Sequence, residues 1–100
     1  MPAKKNTSDN DKGWLATLWD WSQEVEADSG KRVQVSMYPT KRKGIWLITI
    51  RLLEVVDSKP AAIALQLSQE YPNGSAQGLT ACLYSLLAGL DRMRADSTMP

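Results

Sequence analysis

Histidine is absent from the 100 residues and cysteine occurs once, at Cys82. Together these absences remove Ser-His-Asp and Cys-His catalysis and the common zinc sites. A lone cysteine forms no intramolecular disulfide framework, so a reducing compartment is expected, the cytoplasm by default. Long apolar runs are also lacking. They are broken by Arg51 or fall short of about 18 residues, and the N-terminal lysines have no apolar stretch behind them, so neither a membrane span nor a signal peptide is expected. Charge of one sign is missing too: 12 Lys+Arg against 11 Asp+Glu leave a net charge of +1. With no global field to draw in nucleic acid or anionic membrane, electrostatic recognition has to come from local patches.

What remains for catalysis is carboxylate chemistry. Glu24, Glu26 and Asp28 fall on a predicted solvent-facing helix end, and Glu54, Asp57 and Glu70 lie in or beside loops. No convergent pair emerges, so the chain reads as a non-enzyme that needs no cofactor and no metal.

The residues that are present divide the chain clearly. Residues 1–12 and 95–100 are polar without periodicity and are expected to be disordered tails around one domain, 13–94, since 100 residues at 43% hydrophobic content support a single core. Trp14, Leu18, Trp21 and Val25 fall at i, i+4, i+7 and i+11, which predicts a helix over about 11–27 with one buried face. Asp9, Asn10 and Asp11 offer N-cap oxygens, and Ser29-Gly30 offers a left-handed stop. Trp19 lies on the flank of that stripe.

KRVQVSMY alternates as a half-buried strand, with Val33, Val35 and Met37 on one side. GIWLITIRLLEVV carries Trp46, Ile48, Ile50 and Leu52 on one face and Ile45, Leu47, Thr49, Arg51 and Leu53 on the other, so both faces are apolar enough for a central strand. A third strand over about 61–69 places Ile63, Leu65 and Leu67 inward. SAQGLTACLYSLLAGLDRMR then supplies a helix with a wide leucine stripe, capped by Asn73, Gly74 and Ser75. Beside the stripe runs a small ridge, Gly78, Cys82, Ser85 and Gly89. Two internal glycines cost about 1 kcal/mol each relative to alanine, so a bulky neighbour is expected against them, with Trp14 or Trp21 of the first helix the candidates. Cys82 itself reads as core packing.

Assembled, these elements give an α+β fold of order αβββα, a three-stranded antiparallel sheet in the order 1-2-3 with two helices packed on one face. This order resembles the double-stranded RNA-binding domain over about residues 13–94. The resemblance implies that the loop Pro39–Gly44 reaches into a minor groove, where Lys41, Arg42 and Lys43 would make the contacts. At the loop the family's Gly-Pro-x-His is replaced by Tyr38-Pro39-Thr40-Lys41. The family's lysine cluster falls on Asn73–Gly78, which hold no cation and leave only helix amides for phosphate. Small three-stranded DNA readers and single-strand-binding coactivator domains are similar in architecture, and here an open face would present Arg32, Gln34, Tyr38, Arg51 and Gln66.

Two functions follow as expectations. A nucleic-acid-binding module would use Lys31, Arg32, Lys41, Arg42, Lys43 and Arg51, all within 21 residues of the first hairpin. Charged hairpin tips also keep sheet edges from pairing, the blander account of the triplet. A protein-interaction module or homodimer would instead use Ile45, Leu47 and Leu53 on the open face, together with Trp19.

Overall fold

The computed structural model describes residues 13–98. Its elements are α1 (Trp14–Ser29), β1 (Arg32–Pro39), β2 (Ile45–Val56), β3 (Lys59–Pro72) and α2 (Ala76–Thr98). The strands form an antiparallel sheet in the order β1-β2-β3. The protein is therefore α+β with the αβββα order. No helix among the described residues is long and apolar enough to cross a membrane.

α1 begins at Gly13, with no side-chain cap. The expected caps Asp9, Asn10 and Asp11 lie outside the described residues. Its end is as the sequence suggests: Gly30 takes a left-handed φ of 74°, and its N–H donates to the Glu26 carbonyl at 2.9 Å. At the other helix, Ser75 is the cap, its Oγ accepting the Gly78 N–H at 2.9 Å. α2 then runs on to Thr98, past Arg94, where the polar tail was expected to start.

The core lies between the helices and one sheet face. Leu18, Trp21 and Val25 of α1 and Leu79, Leu83, Leu86, Leu87 and Leu90 of α2 close over Ile48, Ile50 and Leu52. A polar clamp joins the two helices at one end of this core. Trp21 Nε1 donates to Asp91 Oδ1 at 3.0 Å, and Arg94 donates to Asp91 at 2.8 Å and to Asp28 at 3.0 Å. The indole thereby keeps its one donor satisfied while its rings are buried.

Ile63 corrects the sequence reading. Leu52 faces Leu65, but Leu53 faces Ile63, so Ala64 has no partner across the ladder. This bulge shifts the alternation by one and turns Ile63 to the face opposite the helices, where it is 55% exposed. A second shift leaves Ala61 unpaired, between Ala62 opposite Glu54 and Pro60 opposite Val55. β3 is also longer than expected because both of its prolines sit in the strand, as an edge strand permits.

The small ridge of α2 also has a different neighbour from the expected one. A methyl group added at Gly78 would lie 2.9 Å from Pro72 Cγ, and one at Gly89 would lie 2.7 Å from Leu67 Cδ2. The glycines admit β3, not the tryptophans of α1. Helix propensity favours alanine by about 1 kcal/mol at either site, so the neighbour decides the outcome. The Leu67 tip can rotate away, whereas the Pro72 ring is fixed to the backbone. Gly78→Ala is expected to lower the thermal midpoint, and Gly89→Ala to leave stability within about 1 kcal/mol of wild type, by parallel thermal melts.

Candidate nucleic-acid interface

The sheet face turned away from the helices is where the sequence-selected residues meet. Its central row, Leu47, Thr49, Arg51 and Leu53, comes from β2. β1 flanks it with Tyr38, Ser36, Gln34 and Arg32, and β3 with Glu70, Ser68, Gln66 and Ile63, each opposite its β2 partner in that order. No helix among the described residues covers this face, and its polar side chains are held by one another. Thr49, only 2% exposed, shares a 2.7 Å hydroxyl contact with Ser68.

Arg51 lies at the centre. Its Nε donates to Gln66 at 2.8 Å, and its Nη1 donates to Gln34 at 3.4 Å and to Ser36 at 3.3 Å. The guanidinium is thus gripped from both neighbouring strands. Its Nη2 makes no hydrogen bond among the described residues, so two donors stay available in an orientation already fixed. A planar fork fixed in place loses less entropy when it meets an oxyanion or a base edge.

The basic loop borders one end of this face. Lys41, Arg42 and Lys43 are all exposed. Thr40 organises the turn: its N–H and its Oγ1 both donate to the Ile45 carbonyl, and its Oγ1 accepts from the Arg42 N–H. Arg42 folds back to a salt bridge with Glu70, while Lys41 and Lys43 make no ion pair among the described residues. Tyr38, exposed on the open face, stands between this loop and Arg51.

The other two cations lie elsewhere. Arg32 is at the far end of β1, about 23 Å from Pro39 at the usual strand rise, and donates to the Ser58 carbonyl at 3.4 Å. Lys31 turns to the helix side and pairs with Glu54 at 4.0 Å. There it borders a cleft of about 680 Å³, with Asp28, Asp91 and Arg94 also in the wall. The cleft's cations already face carboxylates, so it holds no net field for an anion.

The protein-interface candidates are separated as well. Trp19 is 64% exposed on the helix layer, whereas Ile45, Leu47 and Leu53 are on the opposite side of the sheet. There Ile45 and Leu47 are half-buried and Leu53 is buried, so they do not join into one exposed apolar patch. Sequence reasoning gave no site role to Ser36 and Ser68, and weighed Glu70 only as a carboxylate in or beside a loop. The first two are small polar residues in alternating strands, and only the strand register reveals that they brace the centre and that Glu70 meets Arg42.

Charge is distributed unevenly between the layers. α1 carries four acids, Asp20, Glu24, Glu26 and Asp28, and no cation. Residues 31–72 carry seven cations against three acids. A net charge of +1 thus conceals an acidic helix and an electropositive sheet side.

The remaining titratable groups of note are in the core. Burial pushes the Cys82 thiol up, and burial followed by the proximity of Cys82 pushes the Tyr71 phenol up. At neutral pH both are protonated in the folded protein, and Cys82 is a packing residue with a poorly nucleophilic sulfur. The folded state holds these protons more tightly than the unfolded chain. Stability is therefore level at neutral pH and falls as pH rises past the ordinary thiol range of about 8.5. Thermal melts at pH 7 and pH 10 should show the drop, with a smaller one in Cys82→Ala. No group of three or more His, Cys, Asp or Glu suited to a metal ion occurs among the described residues.

The order αβββα with an antiparallel sheet is consistent with the element order of double-stranded RNA-binding domains. No family model, no curated protein and no solved structure matches the chain.

Proposed function

We propose that this protein is a non-enzymatic nucleic-acid-binding domain that takes a single strand along the open sheet face and the Lys41–Lys43 loop. The observation that carries the reading is Arg51, fixed by Gln34, Ser36 and Gln66 at the centre of an uncovered face with donors to spare. Lys41 and Lys43 supply exposed charge for phosphates, and exposed Tyr38 supplies a ring on which a base can stack. Duplex RNA is a poorer fit. The α2 N-terminus carries no lysine, and its Ser75 cap already occupies the Gly78 amide.

The test is fluorescence anisotropy with labelled single-stranded and duplex 20-mers at 50 and 200 mM salt. Three phosphate contacts would give a slope of about −2 in log affinity against log salt for a single strand. Tighter binding to the single strand with that slope supports the reading. Absence of binding at 50 mM salt, or a preference for duplex, overturns it.

A further inference from the structure

The two edges of the sheet are not alike. β3 is broken by bulges at Ala61 and Ala64 and carries Lys59, Pro60, Glu70 and Pro72. Such features blunt an edge against pairing. β1 has none of them in its body: its register with β2 is unbroken from Arg32 to Pro39, and no charged residue lies between Val33 and Tyr38. It offers an open template.

The hydrogen-bonding phase of that edge is fixed. Thr40 N–H donates to the Ile45 carbonyl, so within β1 the even-numbered residues direct their backbone groups toward β2. Val33, Val35 and Met37 therefore aim their N–H and C=O groups outward, where no further strand lies among the described residues. We propose that a second copy of this chain fills the position, β1 pairing antiparallel with its own symmetry mate about Val35 to give one continuous sheet. This inference does not depend on the nucleic-acid reading.

The occupant follows from self-complementarity. Centred on Val35, the register places Val35 opposite Val35 and Val33 opposite Met37 of the second copy, and each such pair exchanges two backbone bonds. All three outward-aimed residues are satisfied. On the helix side the facing side chains are apolar throughout. On the open face Gln34 meets Ser36, and Arg32 meets Tyr38 in a closely spaced pair suited to a cation over an aromatic ring. Along β1 no like charges face one another, which suits an isologous contact.

The helix layer supports the same contact. Thr17, Trp21 and Asp28 form the α1 flank that meets α2, through Tyr84, Asp91 and Arg94. Leu15 and Trp19 lie half a turn round the helix from that flank, 59% and 64% exposed. Because α1 packs against β1 and α2 against β3, this apolar flank lies on the β1 side. Two copies joined along β1 bring their flanks together, which accounts for two large apolar side chains that no described residue of one chain covers.

The experiment is sedimentation of the full chain without nucleic acid, from 1 to 100 µM, with folding checked by circular dichroism. The expected mass rises to twice 11.1 kDa across that range. Leu15→Glu with Trp19→Glu, which changes only exposed residues, should weaken association at least tenfold. Arg32→Cys combined with Tyr38→Cys should give an intermolecular disulfide on mild oxidation far faster than either single variant, because only the register about Val35 brings the two positions together. Within one chain they stand too far apart to bridge. A wild-type chain that stays monomeric at 100 µM overturns the proposal. So does a dimer that ignores the α1 substitutions and fails to cross-link, since it would use another surface.

Discussion

Ile50→Ala is expected to lower the free energy of unfolding by about 2–5 kcal/mol, while Ile63→Ala on the same sheet should change it by no more than about 0.5 kcal/mol. Ile50 is fully buried at the middle of the central strand, opposite Val35 and Leu67, beneath both helices. Removing its outer carbons loses their transfer free energy and leaves a void that the four surrounding elements cannot easily collapse into. Ile63 is more than half exposed, because the Ala64 bulge has turned it away from the core. In a domain of this size about 1 kcal/mol moves the midpoint by 4–8 °C, so the two variants should be separated by about six degrees or more in a thermal scan. The pair is informative because simple alternation along β3 would make Ile63 a core residue. Were both variants equally damaging, the bulge and the register beyond it would be wrong.

The contrast between Ile50 and Ile63 also shows what the sequence can reveal about this fold. Alternation in KRVQVSMY and the two apolar faces of IWLITIRLL are local patterns, and each led to the observed strand because each is uninterrupted. Leu18, Trp21 and Val25 identify the buried face of α1 for the same reason. The bulges are different. In PAAIALQ, small residues leave the phase of the strand undetermined, and only pairing with Leu52, Leu53 and Glu54 decides which alanines drop out of the ladder. The α2 ridge is an intermediate case. Its glycines signal that something comes close, but the identity of that neighbour depends on how the helix crosses the sheet, and β3 proves to be nearer than α1.

The candidate site was legible in its components and not in its connections. Lys41, Arg42 and Lys43 stand out as a run, yet the run does not show that Arg42 is tied to Glu70, 28 positions away in sequence. Arg51 stands out as a charge in an apolar strand. That it is braced from both sides requires Gln34, Ser36 and Gln66 to fall opposite it, which is a property of register. Clustering in sequence also overstates clustering in space: Lys31 and Arg32 belong to the same hairpin but lie at its far end, one of them on the other side of the sheet.

That geometry makes the three loop cations unequal, and the inequality yields a sharp expectation. Replacing Lys41 and Lys43 together by glutamine should weaken single-strand binding roughly thirtyfold at 50 mM salt, taking about 1 kcal/mol for each lost contact to phosphate. The salt slope should become shallower by about 1.4, the share of two phosphates on a single strand. Arg42→Gln should do less, since its charge is already spent on Glu70. Folding should be unaffected by either change, because all three side chains are exposed and the turn is held by Thr40 and the backbone of Ile45. Anisotropy titrations at four salt concentrations would separate the two accounts of the triplet. A run of cations that merely solvates a hairpin tip leaves affinity and slope unchanged when it is neutralised, whereas one that holds phosphates lowers both together, and only for Lys41 and Lys43 in full.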